Sequence, residues 1–159
     1  RKMKFRGEYD LPVRLFAREM ARLYAEAGWK AGIVVCAPTS RKTLRRRGYN
    51  QAEKLARRTA KELKLPFVQD ALKKKRDVRS HVGLNAQQRS ENMQGAVLPG
   101  KHADAVEGKS VLLIDDVLTT GSTAEACAKA LREAGAKELY LLTAARRDPH
   151  AHLSAPIED

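Results

Sequence analysis

Val111-Leu112-Leu113-Ile114-Asp115-Asp116-Val117-Leu118-Thr119-Thr120-Gly121-Ser122-Thr123 is the stretch that decides the fold. Its first four residues are aliphatic and do not alternate with polar ones, so both faces of the strand they predict are covered. That pattern belongs to a central parallel strand of an α/β sheet. Asp115 and Asp116 fall at its carboxyl end, where open α/β sheets hold their ligands. Thr119, Thr120, Gly121, Ser122 and Thr123 then supply backbone N–H groups and hydroxyls where a helix begins. A helix start carries unpaired donors and partial positive charge, which suits a phosphate.

Ser122 followed by Glu125 fits a capping box. Ala124, Cys127, Ala128, Leu131 and Ala134 form the apolar stripe of the helix, and Gly135 ends it. Capping alone would explain Ser122 and Glu125. It leaves unexplained the two adjacent acids and the Thr-Thr-Gly between them and the cap, so the stretch reads as a ligand loop. The Lys of G-x-x-x-x-G-K-[ST] is missing, and G-x-G-x-x-G does not occur. Acids beside a phosphate loop call for a ligand that carries hydroxyls, or a metal, as well as phosphate. Carboxylates accept hydrogen bonds from sugar hydroxyls and hold Mg²⁺ directly or through water. The pattern asks for a sugar phosphate.

With 159 residues, 43% of them apolar, the chain is long enough for one domain with a real core. No apolar run reaches the roughly 18 residues of a membrane span. The basic first residues are not followed by an apolar signal region. The chain opens on Arg1 and not on Met, as expected of a fragment or processed chain. Cys36 and Cys127, the only cysteines, fall in predicted core elements. They read as two buried free thiols of a cytoplasmic protein, without disulfide or metal. A net charge of +12 allows binding to nucleic acid or any other polyanion, without saying which.

Upstream, Asp10 and Pro12 mark a helix start. Leu15, Phe16, Met20, Leu23, Tyr24 and Ala27 are expected as its packed stripe, Gly28 as its stop, and Trp29 as a core-edge residue. Ile33 to Ala37 is a second continuous apolar run, hence a second parallel strand. Pro38, Thr39, Ser40 and Arg41 follow its carboxyl end, then Arg45-Arg46-Arg47-Gly48-Tyr49-Asn50-Gln51. A helix over 52–63 faces in through Ala52, Leu55, Ala56, Thr59, Ala60 and Leu63. Most arginine runs are solvated faces. This one follows a strand end, and two strand ends of one sheet would set it against the acids. A ligand with ribose at one end and pyrophosphate at the other fits between such loops. Residues 73–95 read as a polar loop with a short helix from Ala86 to Met93, residues 97–108 as a connector, and Glu138 to Ala145 as a further strand. His81, His150 and His152 complete no metal set.

Leu113 to Thr123 resembles the signature of type I phosphoribosyltransferases, which bind phosphoribosyl pyrophosphate (PRPP). Arg45-x-Arg47-Gly48-Tyr49-Asn50-Gln51-Ala52, with Lys4-Phe5-Arg6-Gly7, Gly83-Leu84, Arg89, Asn92 and Gly95-Ala96, is similar to the ComF-type branch, whose relatives are tied to competence and DNA uptake or to sugar metabolism. The resemblance spans about Lys4 to Arg147. Relatives often carry a Cys-rich zinc module before this region; no counterpart occurs in these residues, so no zinc is expected. Val78 and His81 stand where relatives commonly show Thr and Gln.

The resemblance implies an α/β domain over 1–159 with the type I phosphoribosyltransferase fold. Its mostly parallel sheet would have about five strands, with helices on both faces and a flexible loop over 73–95. It implies a pentosyl transferase in which Thr119, Thr120, Gly121, Ser122 and Thr123 hold the 5-phosphate. Asp115 and Asp116 orient the ribose and take Mg²⁺ through water. Thr39, Ser40, Arg41 and Arg47 approach the pyrophosphate. The family picture allows a homodimer and leaves the acceptor open. The rival is a non-catalytic competence or regulatory factor that binds PRPP, a nucleotide, single-stranded DNA or a competence-machinery protein. Scarce aromatics near the basic run, Tyr49 alone, weigh against the DNA form.

Overall fold

A computed structural model describes residues 10–75 and 96–146. The strand expected from the aliphatic run is β4, Ser110–Leu118. It lies between β1 (Ile33–Cys36) and β5 (Glu138–Arg146), parallel to both. Val111, Leu112 and Ile114 are fully buried and Leu113 nearly so, which is why no polar residue interrupts the run. Each such side chain contributes about 1.5–3 kcal/mol on leaving water. A parallel bridge between Val34 and Phe67 extends the sheet beyond β1.

Helices cover both faces. α1 (Asp10–Glu26) and α3 (Gln51–Leu63) pack through Met20, Leu55, Ala56 and Ala60 on the side of Val34, Leu112 and Ile114. α4 (Ser122–Glu133) packs through Ala126, Cys127, Ala130 and Leu131 on the side of Val35, Val111 and Leu113. Between β1 and α3 lies the short α2, Arg41–Arg47. No described helix is long and apolar enough to cross a membrane.

Among the described residues, five strands fall in two sheets, not one. β2 (Leu72–Lys74) and β3 (Val97–Pro99) form an antiparallel pair of their own. Residues 73 and 74, expected in a loop, are therefore strand, and the expected connector holds a strand and a 3₁₀ turn, Ala103–Val106. Neither strand shows a readable period because each is three residues long. Gly100 lets the pair close: a Cβ there would sit 2.0 Å from the Asp70 carbonyl oxygen. The rest of the expected loop, with the helix over Ala86 to Met93, lies outside the described residues, as do His81, His150 and His152.

The face of α1 also differs from expectation. Ala17 and Met20 are buried, with Val13 and Tyr24 packed beside them, while Leu15, Phe16 and Leu23 are 58%, 47% and 42% exposed. The small Ala17 fits between α1 and its neighbours where a larger side chain would hold the helix off. Counting large apolar residues shifted the stripe by about a fifth of a turn. Trp29 does lie at the core edge, stacked on Tyr140 with ring centroids 5.1 Å apart.

Candidate functional site

β4 carries its two acids past the end of β1. The last β1–β4 pair is Cys36 with Ile114, and Ala37 N donates to the Ile114 carbonyl at 2.9 Å. The next bond of a parallel ladder would run from Asp116 N to the Ala37 carbonyl. Asn50 takes that carbonyl instead, donating from Nδ2 at 3.0 Å, while its Oδ1 caps α3 by accepting from Ala52 N at 3.1 Å. Asp116 N donates to Asp115 Oδ1 at 2.8 Å, and Val117 N to Asp116 Oδ1 at 2.9 Å. The ladder opens at the acids on its β1 side only, since β4 stays paired with β5 through Leu118, and each carboxylate accepts a backbone amide through its Oδ1.

Asp115 is 8% exposed. Burial pushes its carboxyl up to about 6. The Asp116 amide opposes that rise; the Asp116 side chain and its charge reinforce it. The positive charge of Lys74, from the β2–β3 pair, offsets part of it. A buried carboxylate with so little compensation gains from a cation or from hydroxyl donors.

The loop after the acids turns into α4 at Gly121, whose φ of +84° suits glycine. The expected capping box does not form. Gly121 is itself the N-cap and carries no side chain, and Ser122 is already the first helical residue. The Ser122 hydroxyl pairs with Thr120 Oγ1 at 2.9 Å, which also stands 3.5 Å from Ser122 N. The N-cap residue of α4 supplies no side-chain bond. With Thr120 Oγ1 facing the Ser122 amide and Glu125 N bonded to the Gly121 carbonyl at 2.9 Å, the Thr123 and Ala124 amides are the donors left for an anion.

Because β1 and β4 are direct neighbours, the turn from Pro38 to Arg41 follows the strand end beside the acids. Thr39 is half-buried there. The Ser40 side chain is committed to the fold. Its Oγ accepts from Thr43 N at 3.0 Å and bonds Thr43 Oγ1 at 2.9 Å, capping α2. Arg41 opens α2 and Arg47 closes it. Six residues of helix separate them by about 9 Å along the axis, so the two arginines are not brought to one place. α2 buries none of its residues.

Two residues gained a role that the sequence reading missed. Asn50 is the pin that opens the ladder; its position before α3 is a helix-start signal, but its bond to Ala37 is not local. Lys74 carried no signal, because its strand pairs with residues beyond the 76–95 segment. Burial raises the Cys36 and Cys127 thiols to about 12, so neither supplies a nucleophile near neutral pH.

Among the described residues no group of three or more His, Cys, Asp or Glu could hold a metal. The adjacent Asp115 and Asp116 still fit Mg²⁺, which keeps most of its waters and takes one or two carboxylates plus substrate phosphates.

The family model for the phosphoribosyl transferase domain matches residues 14–154. Competence protein F of Haemophilus influenzae is 34% identical over 101 residues, 64% of this chain and 44% of that protein. The ribose-phosphate pyrophosphokinase of Pyrococcus abyssi is 49% identical over 37 residues, 23% of this chain and 13% of the other. The chain thus spans less than half the length of these relatives. Among solved structures, the glutamine PRPP amidotransferase of B. subtilis, complexed with ADP and GMP, superposes with a TM-score of 0.56 at 21% identity. That match covers 84% of this chain and 26% of the other.

Proposed function

The chain is a member of the phosphoribosyl transferase domain family, similar to its ComF-type branch, and from that premise we propose that it binds PRPP with Mg²⁺ and transfers the phosphoribosyl group to an acceptor. The expected type I fold is borne out by the family match and the superposition. The observation that carries the proposed activity is a pair: an under-compensated buried carboxyl at the strand end, and an uncapped helix start a few residues later. One wants hydroxyl donors or a cation and the other wants an anion. A ribose 5-phosphate offers both within one molecule.

In the reaction the acceptor attacks C1 of the ribose, the bond from C1 to the pyrophosphate oxygen breaks, and pyrophosphate leaves with the bonding pair. Positive charge develops on the sugar ring. Asp115 and Asp116 orient the ribose hydroxyls, and their negative charge lies where the ring becomes cationic. The amides and hydroxyls from Thr119 to Thr123 fix the 5-phosphate, which turns the encounter into a positioned reaction. Thr39 and Arg41 receive the pyrophosphate, with Arg47 a more distant candidate, and Ser40 serves through its backbone and the helix it caps. When bound, Mg²⁺ supplies charge neutralisation for the pyrophosphate oxygens. We read the protein as cytoplasmic, where two unbridged thiols persist, and as associated with competence by its likeness to Competence protein F.

Calorimetry with PRPP and Mg²⁺ tests the binding, and a screen of bases for pyrophosphate release then identifies the acceptor. Saturable, Mg²⁺-dependent binding that vanishes in Asp115→Asn/Asp116→Asn is the expected result. Binding that survives the double substitution overturns the site.

The second reading, a single-stranded-DNA-binding factor without catalysis, is favoured by α2, which presents Arg41, Lys42, Arg45, Arg46 and Arg47 without burying any residue. Tyr49, the aromatic nearest that run, lies under Lys54 Nζ at 3.7 Å, so stacking support is thin. DNA binding with a steep salt slope, unchanged by the double Asn substitution, would make this the function.

A further inference from the structure

Strands β1 and β4 begin at Ile33 and Ser110, at the end of the sheet away from the acids. Five residues of strand, about 17 Å, separate Ser110 from Asp115. A cavity of about 390 Å³ opens at these strand starts, near the lower end of the range for small-ligand sites. Trp29 and Tyr24 line it with rings 6.2 Å apart and 81° to each other, so they form an aromatic corner. The corner is fixed without a ligand: Trp29 stacks on Tyr140, and the Tyr24 hydroxyl accepts from Ala31 N at 2.7 Å. Leu63 and Leu65 add apolar lining.

The charged residues that line the cavity are both cationic, Lys30 and Lys109. The nearby acid, Glu138, is already engaged. Ser110 Oγ and the Tyr140 hydroxyl donate to its Oε2 at 2.9 and 3.0 Å, and these bonds hold its carboxyl below the usual range. A rigid corner of two aromatic rings selects a flat apolar body. Two ammonium groups with no lining carboxylate select a negative charge.

We propose that this cavity is a second small-molecule site, separate from the acids of β4, that takes a flat aromatic anion: one or two rings bearing a carboxylate, sulfonate or phosphate. The ring lies in the Trp29–Tyr24 corner and the anionic group meets Lys30 and Lys109. The ligand meets Ser110, the first residue of β4, and Gly32, just before β1.

Trp29 is the only tryptophan, so its indole Nε1–H gives a single NMR cross-peak. Naphthalene-2-sulfonate is titrated into the full chain, with uncharged 2-naphthol in parallel. The cross-peak is expected to shift saturably with the sulfonate, and 2-naphthol to bind more weakly by up to about fivefold, the scale of a solvent-facing ion pair. Lys30→Ala/Lys109→Ala, at two exposed positions, is expected to erase that preference. Asp115→Asn/Asp116→Asn is expected to leave it intact, which keeps this test apart from the PRPP test. A shift that stays linear, equal binding of 2-naphthol, or a preference that survives the lysine substitutions overturns the proposal.

Discussion

Replacing Asp115 by Asn is expected to stabilise the ligand-free protein near neutral pH. The carboxyl is 8% exposed and raised from 3.8 to about 6, chiefly by burial. Because its folded-state value lies above its unfolded one, the folded state holds the proton more tightly. Stability from that proton is complete below the unfolded value and is lost as pH climbs through about 6. The full loss corresponds to about 3 kcal/mol. Local relaxation and water penetration reduce this, so a gain of about 1–3 kcal/mol is expected for the variant. Asn keeps an Oδ1 that can accept from Asp116 N and cannot ionise. Urea unfolding followed by Trp29 fluorescence, on both proteins from about pH 4.5 to about pH 8, measures the difference and cancels the titrating groups that do not interact with Asp115. The gap should widen by up to about 2 kcal/mol over that range, nearly all of it below about pH 7. A gap that stays constant with pH, or a variant less stable than its parent at the alkaline end, would refute the account of Asp115 as a carboxyl strained by burial.

Gly121→Ala meets no atom within 4 Å but must adopt φ +84°, so unfolding should show a loss of about 1–2 kcal/mol from backbone strain alone. The same variant should lose PRPP affinity in calorimetry, since the α4 amides are aimed by that residue. Gly100→Ala would place a methyl 2.0 Å from the Asp70 carbonyl oxygen. It should cost about 1–3 kcal/mol and speed amide exchange at Lys75 and His102, whose bonds flank the β2–β3 pair. Arg41→Ala should weaken PRPP binding about tenfold or more, the scale of a charge-assisted hydrogen bond, while Arg47→Ala should change it less than about twofold. Equal effects of the two would mean that α2 does not direct its first residue alone to the ligand.

The central strand, the acids at its end and the loop behind them were legible because each depends on consecutive residues: an unbroken apolar run reads as burial on both faces, and a hydroxyl-rich turn before a helix reads as a set of donors. The resemblance to a family of known fold rested on the same contiguous stretch. The packed face of α1 was misread because it is chosen by what lies against it, and Ala17 wins over Leu15 and Phe16 by being small. The capping box failed over one residue, since Gly121 and not Ser122 makes the turn. Sequence by itself therefore determined which groups are present and on which element. Tertiary structure decided how they are charged and where they point: Asn50 opens the ladder at Ala37, Lys74 approaches Asp115 from a strand paired across a long separation, and burial lifts Asp115. Each of these is a contact between residues far apart in the chain, and such contacts exist only once the layers have packed.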